Sequence, residues 1–157
     1  MLTEPFDFGE LDDLYREVIL DHYRSPRNRR TLDAVDIETR GFNPFCGDEV
    51  ILQLKLDDAG AIHEISQGGQ GCSISQASAS ILSDLLRGKT LEEGEKLSGA
   101  FREMMRGEEL SDEQLDAMGD LEALQGVRKF PIRIKCALLP WAALDDGVAE
   151  YRARPAN

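Results

Sequence analysis

Three cysteines, Cys46, Cys72 and Cys136, are the residues of this 157-residue sequence best suited to metal binding or nucleophilic chemistry. They lie in three separate segments, and none forms a Cys-x-x-Cys pair. A lone cysteine is most often a small buried apolar residue, which is the alternative for each of them. Cys46, however, lies in a Pro/Gly turn, and Cys72 and Cys136 open predicted helices, where backbone amides and the helix dipole favour the thiolate. Because side chains at element ends can converge, we expect a metal or nucleophilic site there.

Three thiolates need a fourth ligand to complete tetrahedral zinc, and Asp48 is the candidate nearest in sequence. It follows Cys46 across one glycine, so its carboxylate can turn toward the same point. The alternative is a turn aspartate that bonds to its own backbone. His22 and His63 compete as fourth ligands, but their positions in a helix and a strand favour satisfied or surface histidines. The predicted ligands are Cys46, Asp48, Cys72 and Cys136.

The elements that position these residues follow from periodicity. Apolar residues at helical spacing predict a first helix over about 11–24. Alternation over 50–56 predicts a strand, the turn at 58–60 predicts a hairpin, and a return strand is expected over 61–67, ended by the glycines at 68–71. Ile62 and Ile65 fall on opposite faces of that strand unless a β-bulge intervenes. A second helix is predicted from Cys72 to the stop at Arg87-Gly88.

The stretch from Lys89 to Gly126 is acidic and holds amphipathic pieces at 91–105 and 111–118, so we expect a helical insertion over about 89–126. No predicted ligand lies in it, and we expect it to pack on the outer side of the sheet or to shape a partner surface. The last helix is predicted to begin near Cys136, with Pro140 in its first turn, where proline is tolerated. The tail after Asp146 is expected to be short and loose.

Length and composition limit the class of protein that this chain can be. With 41% hydrophobic residues, the chain suits a single domain over residues 1–157. A net charge of −12 disfavours nucleic-acid binding and makes a protein the expected partner. No apolar run is long enough to span a membrane, and residues 1–10 carry acids where a secretory signal carries bases, which predicts a cytoplasmic protein. An odd number of cysteines in that compartment disfavours disulfides.

Four runs of sequence together resemble the SufU family, a branch of the IscU-like scaffold fold. They are Ile19 to Tyr23, Asn43 to Asp48, Gly71 to Ser80 and Arg133 to Trp141, and they occur in the family's order within about residues 11–146. The resemblance implies an α+β fold in which a small antiparallel sheet is covered by helices, with the metal site at one end. It implies zinc bound by Cys46, Asp48, Cys72 and Cys136. It also implies that Cys46 accepts the sulfur and that Arg133 supports the thiolates electrostatically.

The resemblance further implies a zinc-dependent sulfurtransferase. Such a protein accepts persulfide sulfur from a cysteine desulfurase of the SufS type, a pyridoxal phosphate enzyme, and relays it to a downstream Suf scaffold for iron–sulfur cluster assembly. This chain itself shows no lysine motif for pyridoxal phosphate.

Two departures separate the sequence from the scaffold branch of the fold. Lys135 stands where scaffold members have a histidine before the third cysteine, and the acidic insertion lengthens the spacing between Cys72 and Cys136. A charged lysine does not readily replace imidazole as a ligand, so a cluster built here lacks one usual ligand. The alternatives are an iron–sulfur scaffold and a purely structural zinc site, although structural sites usually contain only cysteine and histidine. The missing Gly-Lys-Ser/Thr ending disfavours a phosphate cradle at 68–71.

Overall fold

A three-stranded antiparallel sheet organises the fold. The computed structural model describes residues 12–155, and within them β1 (Ile37–Asn43), β2 (Asp48–Leu56) and β3 (Ile62–Gln70) pair in the order β1-β2-β3. Alternate side chains of β2, those of Val50, Leu52 and Leu54, are fully buried because successive strand residues point to opposite faces. The register brings Asn43 opposite Asp48, so residues 44–47 form a tight turn between β1 and β2.

The predicted hairpin is confirmed, with longer strands than its pattern indicated. β3 continues through the glycines to Gln70 because Gly69 pairs with Val50 in the ladder. The bulge is also present: Lys55 pairs with Glu64 but Leu56 pairs with Ile62, which leaves His63 as an extra residue. Ile62 and Ile65 are therefore both fully buried. β1 was not predicted, because its polar and glycine-containing sequence lacks a clear apolar alternation.

Helices cover the sheet and one another. α1 (Asp13–Arg24) confirms the helix predicted over about 11–24. Leu11, where that prediction begins, lies outside the described part of the chain. α2 (Ser73–Leu86) confirms the second, and all its residues from Ser73 to Ser83 are buried. α5 (Pro131–Ala153) packs mainly on β1 and α2, and α2 also contacts α1 and β3. The predicted α+β class, with a small antiparallel sheet packed with helices, is confirmed.

The last helix begins earlier and ends later than expected. Pro131 occupies its first turn, so Cys136 lies in the second turn and Pro140 lies in the interior. An internal proline removes one helical hydrogen bond and crowds the preceding turn. Here the Ser78 hydroxyl of α2 donates to the carbonyl of Ala137 at 2.6 Å, which satisfies a backbone acceptor beside that gap. The prediction of a loose tail after Asp146 was wrong, because α5 continues to Ala153 and buries Val148.

The acidic insertion contains α3 (Leu91–Met105) and α4 (Asp112–Met118), which confirms both predicted helical pieces. A 3₁₀ helix (Gly119–Lys129) follows and continues past the predicted end at 126. α3 and α4 each begin with a capping box. Of the two expectations for the insertion, packing on the outer side of the sheet was wrong, because its main contacts are with α1, α2 and α5. The reason for this packing is an apolar stripe on the 3₁₀ helix, since Leu121, Leu124 and Val127 are fully buried. The other expectation, that the insertion shapes a partner surface, stays a prediction.

Within residues 12–155, no helix is both long and apolar enough to cross a membrane.

Candidate metal centre

Four different elements bring the predicted ligands to one end of the sheet. Cys46 lies in the turn between β1 and β2, and Asp48 is the first residue of β2. Cys72 caps the N-terminus of α2, and Cys136 lies in the second turn of α5 rather than at its opening. The site therefore joins the sheet to the two helices that cover it.

The tightest part of the site consists of Cys46, Asp48 and Cys136. One ligand atom from each lies within 4.8 Å of the others, and the Sγ atoms of Cys46 and Cys136 are 3.5 Å apart. The Cys72 Sγ atom lies outside this mutual set, but it is 3.8 Å from Asp48 Oδ2. The structure thus groups three predicted ligands closely and places the fourth beside the carboxylate.

Asp48 is fully buried, and its carboxylate bonds across the fold rather than within its own turn. Its Oδ1 atom accepts a hydrogen bond from the backbone N–H of Cys72 at 2.8 Å. The alternative of an ordinary turn aspartate does not describe this geometry. Gly71 is needed for the approach, because a Cβ atom there would collide with Asp48 Oδ1 and come within 2.8 Å of Ser75 Oγ. The Gly71-Cys72 segment thus fixes the carboxylate against the sulfur atoms.

Two further polar side chains reach the sulfurs. The Arg133 guanidinium has Nη1 at 4.0 Å from Cys46 Sγ and 3.8 Å from Cys136 Sγ, so its positive charge lies beside both sulfur atoms. Asn43, which was not among the predicted site residues, places Nδ2 at 3.9 Å from Cys136 Sγ. The same side chain accepts the Phe45 N–H through Oδ1 at 3.1 Å. The available signal was its position directly before Pro44, where asparagine commonly organises a turn.

Without a metal, Cys136 holds its proton strongly. The adjacent Cys72 side chain, burial and the Asp48 carboxylate together raise the pKa of the Cys136 thiol. A metal ion at this position must therefore displace a proton, as metal binding to thiols generally requires.

The two histidines are not part of the site, as expected. His22 is buried, with Nδ1 at 2.8 Å from Ser80 Oγ and Nε2 at 2.8 Å from Asp120 Oδ2, so both ring nitrogens have partners. This pair of bonds ties α1 to α2 and to the 3₁₀ helix of the insertion. His63 is exposed at the β-bulge.

The predicted donor set has the chemistry that zinc prefers, and its closest pair of sulfur atoms has a separation near that of a zinc site. Three sulfurs and one carboxylate oxygen match the soft-to-borderline ligands and the four-coordinate preference of that ion. A tetrahedral site with Zn–S bonds of about 2.3 Å has S–S edges of about 3.8 Å, and the observed separation of Cys46 and Cys136 is 3.5 Å. A metal ion would also compensate the burial of the Asp48 carboxylate among thiols, which is costly for an unpaired charge.

Known proteins resemble this chain along most of its length. The model of the NifU-like N terminal domain matches residues 14–137. The zinc-dependent sulfurtransferase SufU of Bacillus subtilis is 48% identical over 143 residues, which cover 90% of this chain and 94% of that protein. The iron–sulfur cluster assembly scaffold protein IscU of Streptococcus pyogenes is 40% identical, over 89% of this chain and 86% of its own.

Solved structures agree on the fold. A crystal structure assigned to an iron–sulfur cluster assembly scaffold protein for the SUF system, from Fervidobacterium islandicum, has a TM-score of 0.75 and 30% identity. The match covers 84% of this chain and 94% of that one. An N-terminal NifU-like protein from Brucella abortus has a TM-score of 0.80 at 22% identity, over 92% and 98% of the two chains, and supports the fold alone. This chain therefore belongs to the NifU-like N-terminal domain family and, within it, to the SufU family.

Proposed function

We propose that this protein is a zinc-dependent sulfurtransferase of iron–sulfur cluster assembly that accepts persulfide sulfur from a cysteine desulfurase of the SufS type. The observation that carries the proposal is the position of Cys46. Its sulfur lies within the predicted ligand group, yet its backbone lies on a surface turn that is only partly buried. The relative from Bacillus subtilis, named a zinc-dependent sulfurtransferase, supports the same chemistry.

Cys46 is the predicted ligand best able to move. Cys72 and Cys136 are held by α2 and α5, whereas Cys46 lies between Pro44 and Gly47 in a four-residue turn. Gly47 has a φ of 70°, a left-handed conformation that glycine adopts without strain. The turn thus combines a reactive sulfur with a backbone that can adjust when a partner docks.

Zinc bound by Cys46, Asp48, Cys72 and Cys136 would keep the thiols deprotonated at neutral pH. The transfer itself is an exchange at sulfur. The Cys46 thiolate attacks the outer sulfur of the desulfurase persulfide, a new S–S bond forms, and the desulfurase cysteine leaves as a thiolate. Cys46 then carries the persulfide, and no net oxidation is needed. Arg133, beside Cys46 and Cys136, stabilises the anionic sulfurs.

The partners follow from this chemistry. The desulfurase supplies both the sulfur and the pyridoxal phosphate, and a downstream Suf scaffold receives the sulfur from Cys46. We propose the cytoplasm as the compartment, because all three cysteines are free thiols and the chemistry requires them reduced.

A second candidate is an iron–sulfur scaffold, which is favoured by the relatives that carry the name IscU. Against it, Lys135 occupies the position before Cys136 and directs its ammonium over the Phe45 ring, 5.3 Å from the centroid. A charged ammonium engaged in this way does not act as a metal ligand. The cysteines and Asp48 alone would then have to hold any cluster.

The test is to locate the transferred sulfur. Zinc-loaded protein is incubated with its desulfurase and cysteine, and mass spectrometry then maps the persulfide. We expect one added sulfur on Cys46 first, and we expect Cys46→Ser to fold but not to support multiple desulfurase turnovers. Persulfide on Cys72 or Cys136 with an active Cys46→Ser variant would overturn the assignment. Protein purified without oxygen that contains iron and a visible cluster, and no zinc, would favour the scaffold candidate.

A further inference from the structure

A basic cleft lies on the side of the molecule where the loop after α1 crosses β3 and the end of α2. Its volume is about 630 Å³. The loop contributes three arginines, Arg27, Arg29 and Arg30, within a chain that has 30 acidic and 18 basic residues. The lining consists of Asn28, Arg29, Arg30, His63, Glu64 and Arg87.

Two arginines of this cleft are charged groups without a carboxylate partner in the described part of the chain. Arg29 donates to Gln76 Oε1 at 2.9 Å and to the Gly69 carbonyl, and Arg87 donates to Asn28 Oδ1. These acceptors are neutral, so they orient the guanidinium groups and leave their positive charges in place. Both side chains are exposed.

Several arginines elsewhere on the surface pair with carboxylates. Examples are Arg102 with Asp145 at 2.5 Å and Arg152 with Glu95 at 2.6 Å. In the cleft, the lining carboxylate of Glu64 lies 3.7 Å from both Arg30 and Lys55. Three arginines therefore face one shared acid. A local positive field of this kind, in a chain of net charge −12, marks a place that attracts an anionic group.

The cleft and the candidate metal centre lie on the same structural unit. Arg29 bonds to Gly69, three residues before Cys72, and to Gln76, four residues after it. From His63 to Gly69 the strand extends about 20 Å at 3.3 Å per residue. A standard protein interface of about 800 Å² on each partner is wide enough to cover both places. A protein seated on Cys46 would therefore also reach the arginines.

We propose that this cleft docks an acidic segment of the cysteine desulfurase, with Arg29 and Arg87 pairing to its carboxylates while Cys46 meets the persulfide. The inference rests on the proposed function for the identity of the partner. A guanidinium fork matches a carboxylate in a bidentate arrangement, which gives orientation as well as attraction. The contact would fix the rotation of the desulfurase about the metal centre.

The experiment compares two double variants of equal charge with one that keeps the wild-type charge. Zinc-loaded R29Q/R87Q is titrated with the desulfurase by calorimetry at low and at physiological ionic strength. R106Q/R152Q is the matched control, because it removes the same charge from exposed arginines that pair with Glu108 and Glu95. R29K/R87K restores the charge. If R29Q/R87Q melts at a lower temperature than wild type, R30Q/R87Q replaces it in the titration, because that variant keeps the hydrogen bonds of Arg29.

We expect R29Q/R87Q to bind roughly tenfold more weakly at low salt, with a smaller difference at physiological salt, as for other charge pairs at an interface rim. R29K/R87K should recover most of the affinity, and R106Q/R152Q should match wild type. Equal losses in R29Q/R87Q and R106Q/R152Q, or no loss in R29Q/R87Q, would overturn the proposal while leaving the sulfur transfer intact. If inorganic phosphate binds at the cleft while R29Q/R87Q keeps the wild-type affinity for the desulfurase, the cleft binds a small anion and not the desulfurase. A wild-type protein that does not bind the desulfurase would overturn both proposals.

Discussion

Replacing Gly71 with alanine tests whether the placement of Asp48 controls metal binding. The new Cβ atom would collide with Asp48 Oδ1 and would lie 2.9 Å from Asp48 Cγ and 2.8 Å from Ser75 Oγ. Contacts of this length force the neighbouring group to move. The carboxylate is the group in the way, and it is also the one that accepts the Cys72 N–H at 2.8 Å. We therefore expect G71A to displace Asp48 from the sulfur atoms.

The size of the effect follows from the bond that is lost. A hydrogen bond to a charged carboxylate contributes about 1.5–3 kcal/mol. Because 1.4 kcal/mol is a tenfold change in an equilibrium constant, the affinity for zinc should fall roughly 10- to 150-fold. The strand ladder between β2 and β3 ends at Gln70, so the sheet itself should be retained.

The assay is competition for zinc with a chromogenic chelator, accompanied by far-ultraviolet circular dichroism to verify the fold. Gly68→Ala is the matched control, because it adds the same methyl group three residues away, where nothing lies within 4 Å. We expect G68A to retain wild-type affinity. If G71A holds zinc as tightly as G68A and exchanges it at the same rate, the carboxylate of Asp48 does not determine metal binding.

Three further outcomes are expected. Asp48→Ala should lose zinc faster to a chelator while its circular dichroism is unchanged, and unchanged exchange would remove Asp48 from the site. Metal-free protein should lose stability above pH 9.0, because folding raises the pKa of Cys136 and the folded state keeps a proton that the unfolded chain releases. In denaturant titrations, the free energy of unfolding should fall by up to about 1.4 kcal/mol per pH unit, and Cys136→Ala should reduce this slope. Lys135→Met should speed the extraction of zinc by a chelator roughly two- to fivefold, because the cation–π contact of Lys135 with Phe45, worth about 0.5–1 kcal/mol, holds the Cys46 turn against α5. Lys135→Arg should lose zinc at the wild-type rate. Equal rates for Lys135→Met and wild type would contradict this role.

Local periodicity predicted most elements but not all their ends. The apolar spacing of α1 and α2 and the alternation of β2 are properties of neighbouring residues, so they are visible in the sequence. The start of α5 was misjudged because proline can open a helix at Pro131 as well as follow one, and Pro140 was then placed in the first turn. β1 was missed because its inward positions, apart from Ile37 and Asn43, are only partly buried.

The acidic insertion shows how composition can mislead about packing. Its helical periods were visible in the sequence, and its charge went with the expectation that it packs on the outer side of the sheet or shapes a partner surface. Its 3₁₀ helix nevertheless buries Leu121 and Leu124 among the other helices, and Asp120 bonds the buried His22. Whether an amphipathic helix faces a sheet or other helices depends on partners that are distant in the chain, which periodicity does not identify.

The sequence by itself determined the chemical types of the site: three thiols, one carboxylate two residues after the first of them, and an arginine three residues before the last. It also determined the turn and helix that hold Cys46 and Cys72, because proline, glycine and apolar spacing act locally. Only the tertiary structure decided that Cys46 and Cys136, 90 residues apart, lie 3.5 Å from each other, and that Asp48 bonds Cys72 rather than its own turn. It also decided that Arg29 and Arg87 share one cleft. Distances between such residues depend on how α2 and α5 pack on the sheet, and that packing is a sum of many long-range contacts that no local pattern contains.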